Sequence, residues 1–161
     1  MALPIAAVVA GALIDPTTFG NEVVTALNAA PRGTVGYAQV TANQAGITTI
    51  ADITGVSVTW TAVAGRRYRI SVKAMLISSV ATDDANVWIR DSANVKYEAF
   101  GVNCPSTTHG INASGSAIVT GLGAGSKTFK LSVERATGTG TITAVAGADF
   151  PMYILVEDIG T

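Results

Sequence analysis

Regular alternation of apolar and polar residues is the feature that most constrains the fold of this chain. Every second residue from Tyr68 to Leu76 is apolar, and the stretch from Phe129 to Val133 repeats the pattern. Side chains of a strand point alternately to its two faces, so a period of two predicts strands with one buried face. Thr, Val and Ile supply 51 of the 161 residues, and these β-branched side chains fit pleated sheets better than helices. We therefore predict an all-β protein.

Turn signals divide this sequence into about nine or ten short strands. Small and polar residues cluster at 64–65, 91–94, 121–125 and 137–140. Many short strands at such spacing are typical of an antiparallel β-sandwich, and about eight strands favour a jelly roll. The predicted fold is a jelly-roll-like antiparallel β-sandwich, with strands at 35–41, 48–51, 56–61, 68–76, 86–90, 94–100, 111–119, 128–134, 140–146 and 151–157.

The phase of the alternation also predicts which residues form the core, because each strand places one set of side chains inward. The predicted core residues are Trp60, Tyr68, Ile70, Val72, Phe129, Leu131, Val133, Ile154 and Val156.

The first 30 residues follow a different pattern. An apolar run fills positions 2–14, and Asp15 and Pro16 then offer an N-cap residue and a proline for the first helical position. Pro31 ends the helix that should follow.

The apolar run is shorter than the ~20 residues that cross a bilayer and has no basic segment before it, so we predict neither a membrane span nor an export signal. The chain divides into an N-terminal arm, 1–30, and a β-sandwich domain, 31–161. The helix should carry a single apolar stripe at four-residue spacing, made of Phe19, Val23 and Leu27.

This arm is the predicted docking element. Its aliphatic side chains exceed what one short helix can cover. Burying six of them against a partner, at about 1.5 to 3 kcal/mol each, gives a gross gain near 10 kcal/mol to set against the cost of association. The predicted docking residues are Leu3, Ile5, Val8, Val9, Leu13, Ile14, Phe19, Val23 and Leu27.

Charge and composition narrow the function classes. Charged residues make up 13% of the chain and hydrophobic residues 48%, so a disordered chain is excluded. Ten basic residues nearly balance eleven acidic ones, for a net charge of -1. A chain with this charge has no net positive electrostatic potential to attract nucleic acid or an anionic membrane surface, and we expect neither as a partner.

Two glycine-containing stretches, AGRRYRISV (64–72) and AGSKTFKLSV (124–133), resemble each other across one inserted residue. We favour the interpretation that they are two hairpins of one sheet, and an internal duplication is the open alternative. A phosphate-binding loop at 121–128 is rejected, because Ser126 stands where glycine must precede Lys127 and a strand follows instead of a helix.

The basic residues on these strands should form a solvated face or a subunit contact; they are Arg66, Arg67, Arg69, Lys73, Lys127, Lys130 and Arg135.

The remaining candidates for chemistry are weak. Cys104 and His109 lie five residues apart in a stretch that resembles a loop, but no third group is placed to orient a nucleophile, so we interpret them as an incidental thiol beside a surface histidine. Asp83 and Asp84 lack the spacing of a calcium loop, and we predict a solvated turn there. We expect no catalytic residue, no metal site and no cofactor, and hence no enzyme.

Five segments of the body form an ordered series: PRGTVGYAQVT (31–41), AGRRYRISV (64–72), SSVATDDANVWIRD (78–91), GSKTFKLSVERATGTGTIT (125–143) and FPMYILVEDIG (150–160). In this order they resemble a β-rich module of virion proteins in tailed phages that infect actinobacteria. Proteins with that module are described as minor tail, tail-fibre or capsid-decoration proteins. The resemblance covers about 31–161 and implies a virion structural role with no catalytic residues. Relatives often carry a histidine–aromatic pair where this chain has Lys127 to Phe129.

Two roles within the virion stay open. The favoured one is a capsid decoration protein that docks on the major capsid protein through its arm and displays the sandwich. The alternative is a minor tail or receptor-binding protein whose outer loops contact a host-surface glycan. In either role we expect a homo-oligomer, most simply a trimer, made in the host bacterial cytoplasm and placed on the outer surface of capsid or tail.

Overall fold

The computed structural model describes residues 16–161, with side chains from Gly20 onward. Helix α1 runs over Pro16–Ala29, and Ala30 N donates a hydrogen bond to Ala26 O at 3.0 Å. The helix thus begins at the predicted proline and ends just before Pro31. It belongs to a unit distinct from the sandwich, which starts at Pro31.

The body consists of strands in two antiparallel sheets, a β-sandwich as predicted. Its core fills the space between the sheets. The strands are β1 (Gly33–Val40), β2 (Gln44–Ile47), β3 (Ala51–Ala62), β4 (Arg67–Ser78), β5 (Asp83–Asp91), β6 (Lys96–Cys104), β7 (Ile111–Val119), β8 (Gly125–Thr137), β9 (Ile142–Val145) and β10 (Met152–Gly160).

The pairing of the long strands defines a jelly roll. The first pairs with the last, β1 with β10, and successive inner pairs are β3 with β8, β4 with β7 and β5 with β6. This nested pairing wraps into a six-stranded sheet, in which β10 and β7 flank β4, and a four-stranded sheet of order β3-β8-β5-β6. The short strands β9 and β2 extend the six-stranded sheet beyond the end of β10. The predicted fold class is confirmed.

The predicted core is also confirmed, since all nine predicted residues are buried. An aromatic cluster joins the two sheets: the ring of Trp60 lies 5.4 Å from Tyr68 and 5.5 Å from Phe129, and Tyr97 lies 4.8 Å from Phe129. Val63 N donates to the Tyr68 hydroxyl at 2.9 Å, which gives this phenol a partner inside the sandwich. The phase assigned to β3, β4, β8 and β10 is therefore correct.

One predicted strand, 48–51, is wrong. The extended segment is β2, Gln44–Ile47, and the chain turns before β3 begins at Ala51. The side chain of Gln44 explains the difference, because its amide donates to Asp52 O at 3.0 Å and accepts from Thr54 N at 2.9 Å. These bonds satisfy backbone groups of β3 at the irregularity between Asp52 and Ser57, where the pairing with β8 is interrupted.

The interpretation of the two alanine–glycine turns as hairpins of one sheet is wrong as well. The turn at 64–65 leads from β3 in the four-stranded sheet to β4 in the six-stranded sheet, and the segment 120–124 leads from β7 back to β8. Both are crossings between sheets. The repeated sequence reflects two equivalent crossings at one end of the jelly roll.

The connections between strands lie at two opposite ends of the sandwich, and the chain enters at one of them. The chain enters at Gly33, which pairs with Asp158, and Arg32 N donates to Asp158 O at 3.1 Å. We call this the basal end; it also holds the connections 63–66, 92–95 and 120–124. The opposite, distal end holds the connections 79–82, 105–110 and 138–141.

Candidate functional site

The predicted docking residues are only partly within the described chain. Val23 and Leu27 lie on α1 and are 40% and 68% exposed. Phe19 lies in the helix, and its side chain is outside the description. The other docking residues lie outside the described residues; they are Leu3, Ile5, Val8, Val9, Leu13 and Ile14.

Helix α1 presents one more apolar side chain than predicted. Val24 is 55% exposed and stands three residues before Leu27, so the two are neighbours on the helix surface. A strict four-residue spacing selects positions 19, 23 and 27 and passes over Val24. Glu22 is the single charged residue of α1. The stripe formed by Val23, Val24 and Leu27, named here the α1 stripe, is apolar surface that water solvates poorly.

No helix among the described residues is long and apolar enough to span a membrane.

A second apolar cluster lies on the outer face of the six-stranded sheet. Tyr37 is 52% exposed, pairs across strands with Leu155, and its ring lies 6.0 Å from that of Tyr153. Ile118 on β7, at the other side of this face, is 60% exposed. Arg69 and Glu157 face each other between them at 3.8 Å. This outer face therefore mixes exposed apolar side chains with a loose, solvated ion pair.

The outer face of the four-stranded sheet is polar and tightly hydrogen-bonded. Asp52 accepts hydrogen bonds from Lys130 Nζ and Ser132 Oγ, each at 2.7 Å, and from the guanidinium of Arg90. Burial acts to raise the pKa of Asp52, but these three donors outweigh it and lower the pKa to about 2. Arg90, itself buried, also donates to Ser132 Oγ at 2.8 Å. The basic strand residue Lys130 thus belongs to a fixed network.

Trp88 stands half-exposed on this same face. Its indole N–H donates to Glu134 Oε1 at 2.7 Å, and the Asn86 amide donates to the same oxygen at 3.1 Å. Lys96 Nζ lies 3.9 Å from the centre of the indole ring, a cation–π contact on one ring face. One carboxylate oxygen therefore fixes both the indole and the amide.

Beside Asn86 an open groove of about 380 Å³ crosses from β8 over β5 to β6. Asp84 forms one side, where its carboxylate accepts from the Asn103 amide at 2.9 Å and from the Thr137 hydroxyl at 2.7 Å. These two hydrogen bonds lower the pKa of Asp84. We call this the β5–β6 groove; its outward-facing lining residues are Asp84, Asn86, Gly101, Asn103 and Ala136.

Small residues keep the β5–β6 groove open. Gly101 pairs with Asn86 across strands, and a Cβ added to it would lie 3.2 Å from Asn86 Oδ1. Ala136 occupies an irregularity in the pairing of β5 with β8 and is exposed. Sequence reasoning missed the groove and predicted only that 86–90, which holds Asn86 and Trp88, forms a strand.

Two predicted surface groups are buried instead. Arg66 lies at the basal end with its guanidinium paired to Asp158, and both side chains are buried. Burial acts to raise the pKa of Asp158, but the bonds from Arg66 and from Gly160 N outweigh it and the pKa falls. Arg66 thus ties the β3–β4 crossing to the last strand, so its predicted place on a solvated face or in a subunit contact is wrong.

The predicted solvated turn at Asp83 and Asp84 is wrong for Asp83. Asp83 is buried, accepts from Ser78 Oγ at 2.6 Å and from Gly140 N at 2.9 Å, and the bond from Ser78 lowers its pKa. This carboxylate fastens the β8–β9 connection to the start of β5. Its neighbour Asp84 is half-buried on the outer face.

Cys104 and His109 lie in different environments. Cys104 is buried at the end of β6, not in a loop, and burial raises the pKa of its thiol. His109 is exposed, with Nδ1 3.0 Å from Thr108 Oγ1. A buried, protonated thiol is a poor nucleophile. Among residues 16–161, no three His, Cys, Asp or Glu side chains come together as a metal site.

Comparison with known proteins adds information on the fold alone. The chain matches no protein family and no curated protein. A structural likeness extends to the Eiger TNF from S. frugiperda, with 12% identity, 80% of this chain and 93% of that chain covered, and a TM-score of 0.53. At that identity the likeness indicates a shared β-sandwich architecture.

Weaker structural matches include virus components. The tripod from the baseplate of bacteriophage Tuc2009 is 14% identical, with 98% of this chain and 75% of that chain covered and a TM-score of 0.40. The infectious bursal disease virus VP2 subviral particle is 11% identical, with 81% and 38% covered and a TM-score of 0.36. Scores this low carry no functional argument.

Proposed function

We propose that this protein is a structural component of a tailed-phage virion, and within that class a capsid decoration protein. The ordered series of segments over 31–161 that resembles virion modules supports the class. The protein would attach to the major capsid protein through residues 1–30 and display the β-sandwich on the outside of the particle.

The α1 stripe is the observation that carries this proposal. Val24 and Leu27 are more than half exposed, while the sandwich buries its own core completely. Apolar surface that the fold does not need is a common mark of a contact with another protein.

The outer face of the six-stranded sheet supports self-association. Tyr37 and Ile118 are exposed there, with Leu155 and Tyr153 beside them. Aromatic side chains are enriched in the centres of protein interfaces. We propose that this face joins copies of the chain in a trimer.

Copy number in purified virions tests the role most cheaply. Quantitative mass spectrometry against the major capsid protein should give hundreds of copies per particle for a decoration protein. A handful of copies would identify a minor tail component, and complete absence from the particle would overturn the virion role.

Re-addition to particles that lack the protein tests the docking element. A chain without residues 2–14 should remain soluble and melt like the full chain, yet fail to add to such particles. Full occupancy by the truncated chain would instead assign attachment to the body.

The trimer is tested by sedimentation of the full chain at micromolar concentration. Tyr37→Glu with Ile118→Glu places charges on the proposed contact face and should yield monomers that melt as a folded sandwich. A wild-type chain that sediments as a monomer contradicts this part of the proposal.

A minor tail or receptor-binding role is the second candidate, and the β5–β6 groove favours it. A polar groove near the distal end, with a half-exposed tryptophan beside it, is suited to contact a host-surface glycan. Copy number separates this role from decoration.

We also propose that the protein is not an enzyme. Cys104→Ala and His109→Ala should each leave the infectivity of phage particles unchanged. Loss of infectivity by either variant, in particles that contain the normal amount of the protein, would contradict this.

A further inference from the structure

We propose that the β5–β6 groove binds a neutral saccharide. This inference rests on the sandwich alone and holds whichever virion role is correct. It goes beyond the general possibility of glycan contact, because it assigns the site to one sheet face and to particular side chains.

Hydrogen-bonding capacity is the first argument. The amides of Asn86 and Asn103 each use their NH₂ group on a carboxylate of the protein, Glu134 and Asp84 respectively. Within residues 16–161 no donor reaches Oδ1 of either amide, so two fixed acceptors remain for hydroxyl groups of a ligand. Because the carboxylates hold both amides in place, a ligand would not have to order them on binding.

Shape and polarity are the second argument. A volume of about 380 Å³ lies in the range of small-ligand sites. The groove alternates polar side chains with small ones, Gly101 and Ala136, which leave room for the apolar C–H groups of a sugar ring. Asp84 and Glu134 make the surroundings acidic, and this disfavours uronic and sialic acids.

Trp88 acts as a positioning residue in this site. Its indole N–H shares Glu134 Oε1 with Asn86, so the indole helps to fix the oxygen that orients the amide. Lys96 covers one face of the ring, and an exposed cation–π contact of this kind is weak enough for a ligand to displace. The groove lies toward the distal end, because Asp84 is the second residue of β5 and Asn103 is the last but one of β6.

The two tryptophans provide the test. In a ¹⁵N–¹H spectrum of the full chain, the indole signal of Trp88 disappears in Trp88→Phe and is thereby assigned. Methyl glycosides of hexoses and of N-acetylhexosamines should shift the Trp88 signal on titration. They should leave the signal of Trp60, whose Nε1 is buried within the described core, in place.

Variants in the groove should change the binding and not the fold. Asn86→Ala and Asn103→Ala should each weaken binding by about tenfold, as expected for one lost hydrogen bond. Gly101→Val should fill the groove and abolish the shift. The matched control is Ser57→Val, which adds the same side chain to an exposed position of β3 on the same outer face and should bind normally.

Three results would overturn the proposal: no shift of the Trp88 signal with any neutral glycoside, an equal shift in Gly101→Val, or equal binding of glucuronic acid. None of them bears on the copy number in virions, so the failure of this inference and of the proposed function can be told apart.

Discussion

The interior of the sandwich and helix α1 are both rich in aliphatic residues, yet only the interior is covered. Leu131 on β8 is fully buried between the sheets, whereas Leu27 on α1 is 68% exposed. A period of two in many strands gives each apolar face an opposing sheet within the same chain. A single helical stripe has no such partner within its own element. Hydrophobicity therefore indicates which side chains favour burial, while the spacing of the apolar residues indicates whether another part of the fold covers them.

The same substitution in the two regions gives the largest contrast. Leu131→Ala should lower the free energy of unfolding by about 2 to 5 kcal/mol, through lost transfer energy and a residual cavity. Leu27→Ala should change it by less than about 0.5 kcal/mol, because an exposed side chain loses little. Urea unfolding of the isolated protein measures both. Equal effects would mean that α1 is part of the folded core.

Replacing glycine by alanine should have opposite effects on stability in the sandwich and in α1. A Cβ on Gly36 would overlap Val58 in the opposing sheet, so Gly36→Ala should destabilise the sandwich by about 1 to 3 kcal/mol. Gly20 in α1 has no neighbour within 4 Å of such a Cβ. Gly20→Ala should favour the helix by up to about 1 kcal/mol.

Circular dichroism separates the two glycine effects. The helical signal should rise in Gly20→Ala at an unchanged melting temperature, and the melting temperature should fall in Gly36→Ala. A fall in both variants would contradict the separation of the two regions.

The outer face of the four-stranded sheet should contribute a smaller effect that depends on pH. The pKa of Asp52 is lowered from 3.8 to about 2, so its network stabilises the fold fully above about pH 4 and is lost as the pH falls toward 2. Asp52→Asn removes this dependence. The stability gap between wild type and Asp52→Asn, from urea unfolding at several pH values, should shrink between pH 4 and pH 2. A gap that is constant over this range would show that the charge of Asp52 contributes nothing.

Sequence reasoning recovered the parts of the molecule that periodicity controls. The helix, the jelly-roll class and the inward phase of β4, β8 and β10 all follow from local spacing, because burial of one face dictates that spacing. The short strand β2 was not predicted, because four residues are too few to show a period. It also depends on the contacts of Gln44 with the backbone of β3.

The buried charges and the β5–β6 groove could not be predicted from the sequence for a related reason. Arg66 and Asp83 are buried because partners far along the chain, Asp158 and the 138–140 turn, complete their hydrogen bonds. Their spacing in the sequence contains no sign of these partners. The β5–β6 groove likewise depends on three strands meeting, and Gly101 has no more local signal than a loop glycine.

One paired measurement tests whether the α1 stripe serves attachment and not folding. Val24→Glu with Leu27→Glu replaces two exposed apolar side chains by charges, and occupancy on particles that lack the protein is measured beside the melting temperature. We expect an unchanged melting temperature together with loss of occupancy. Full occupancy by the charged variant, or a sandwich that melts well below the wild type, would contradict it.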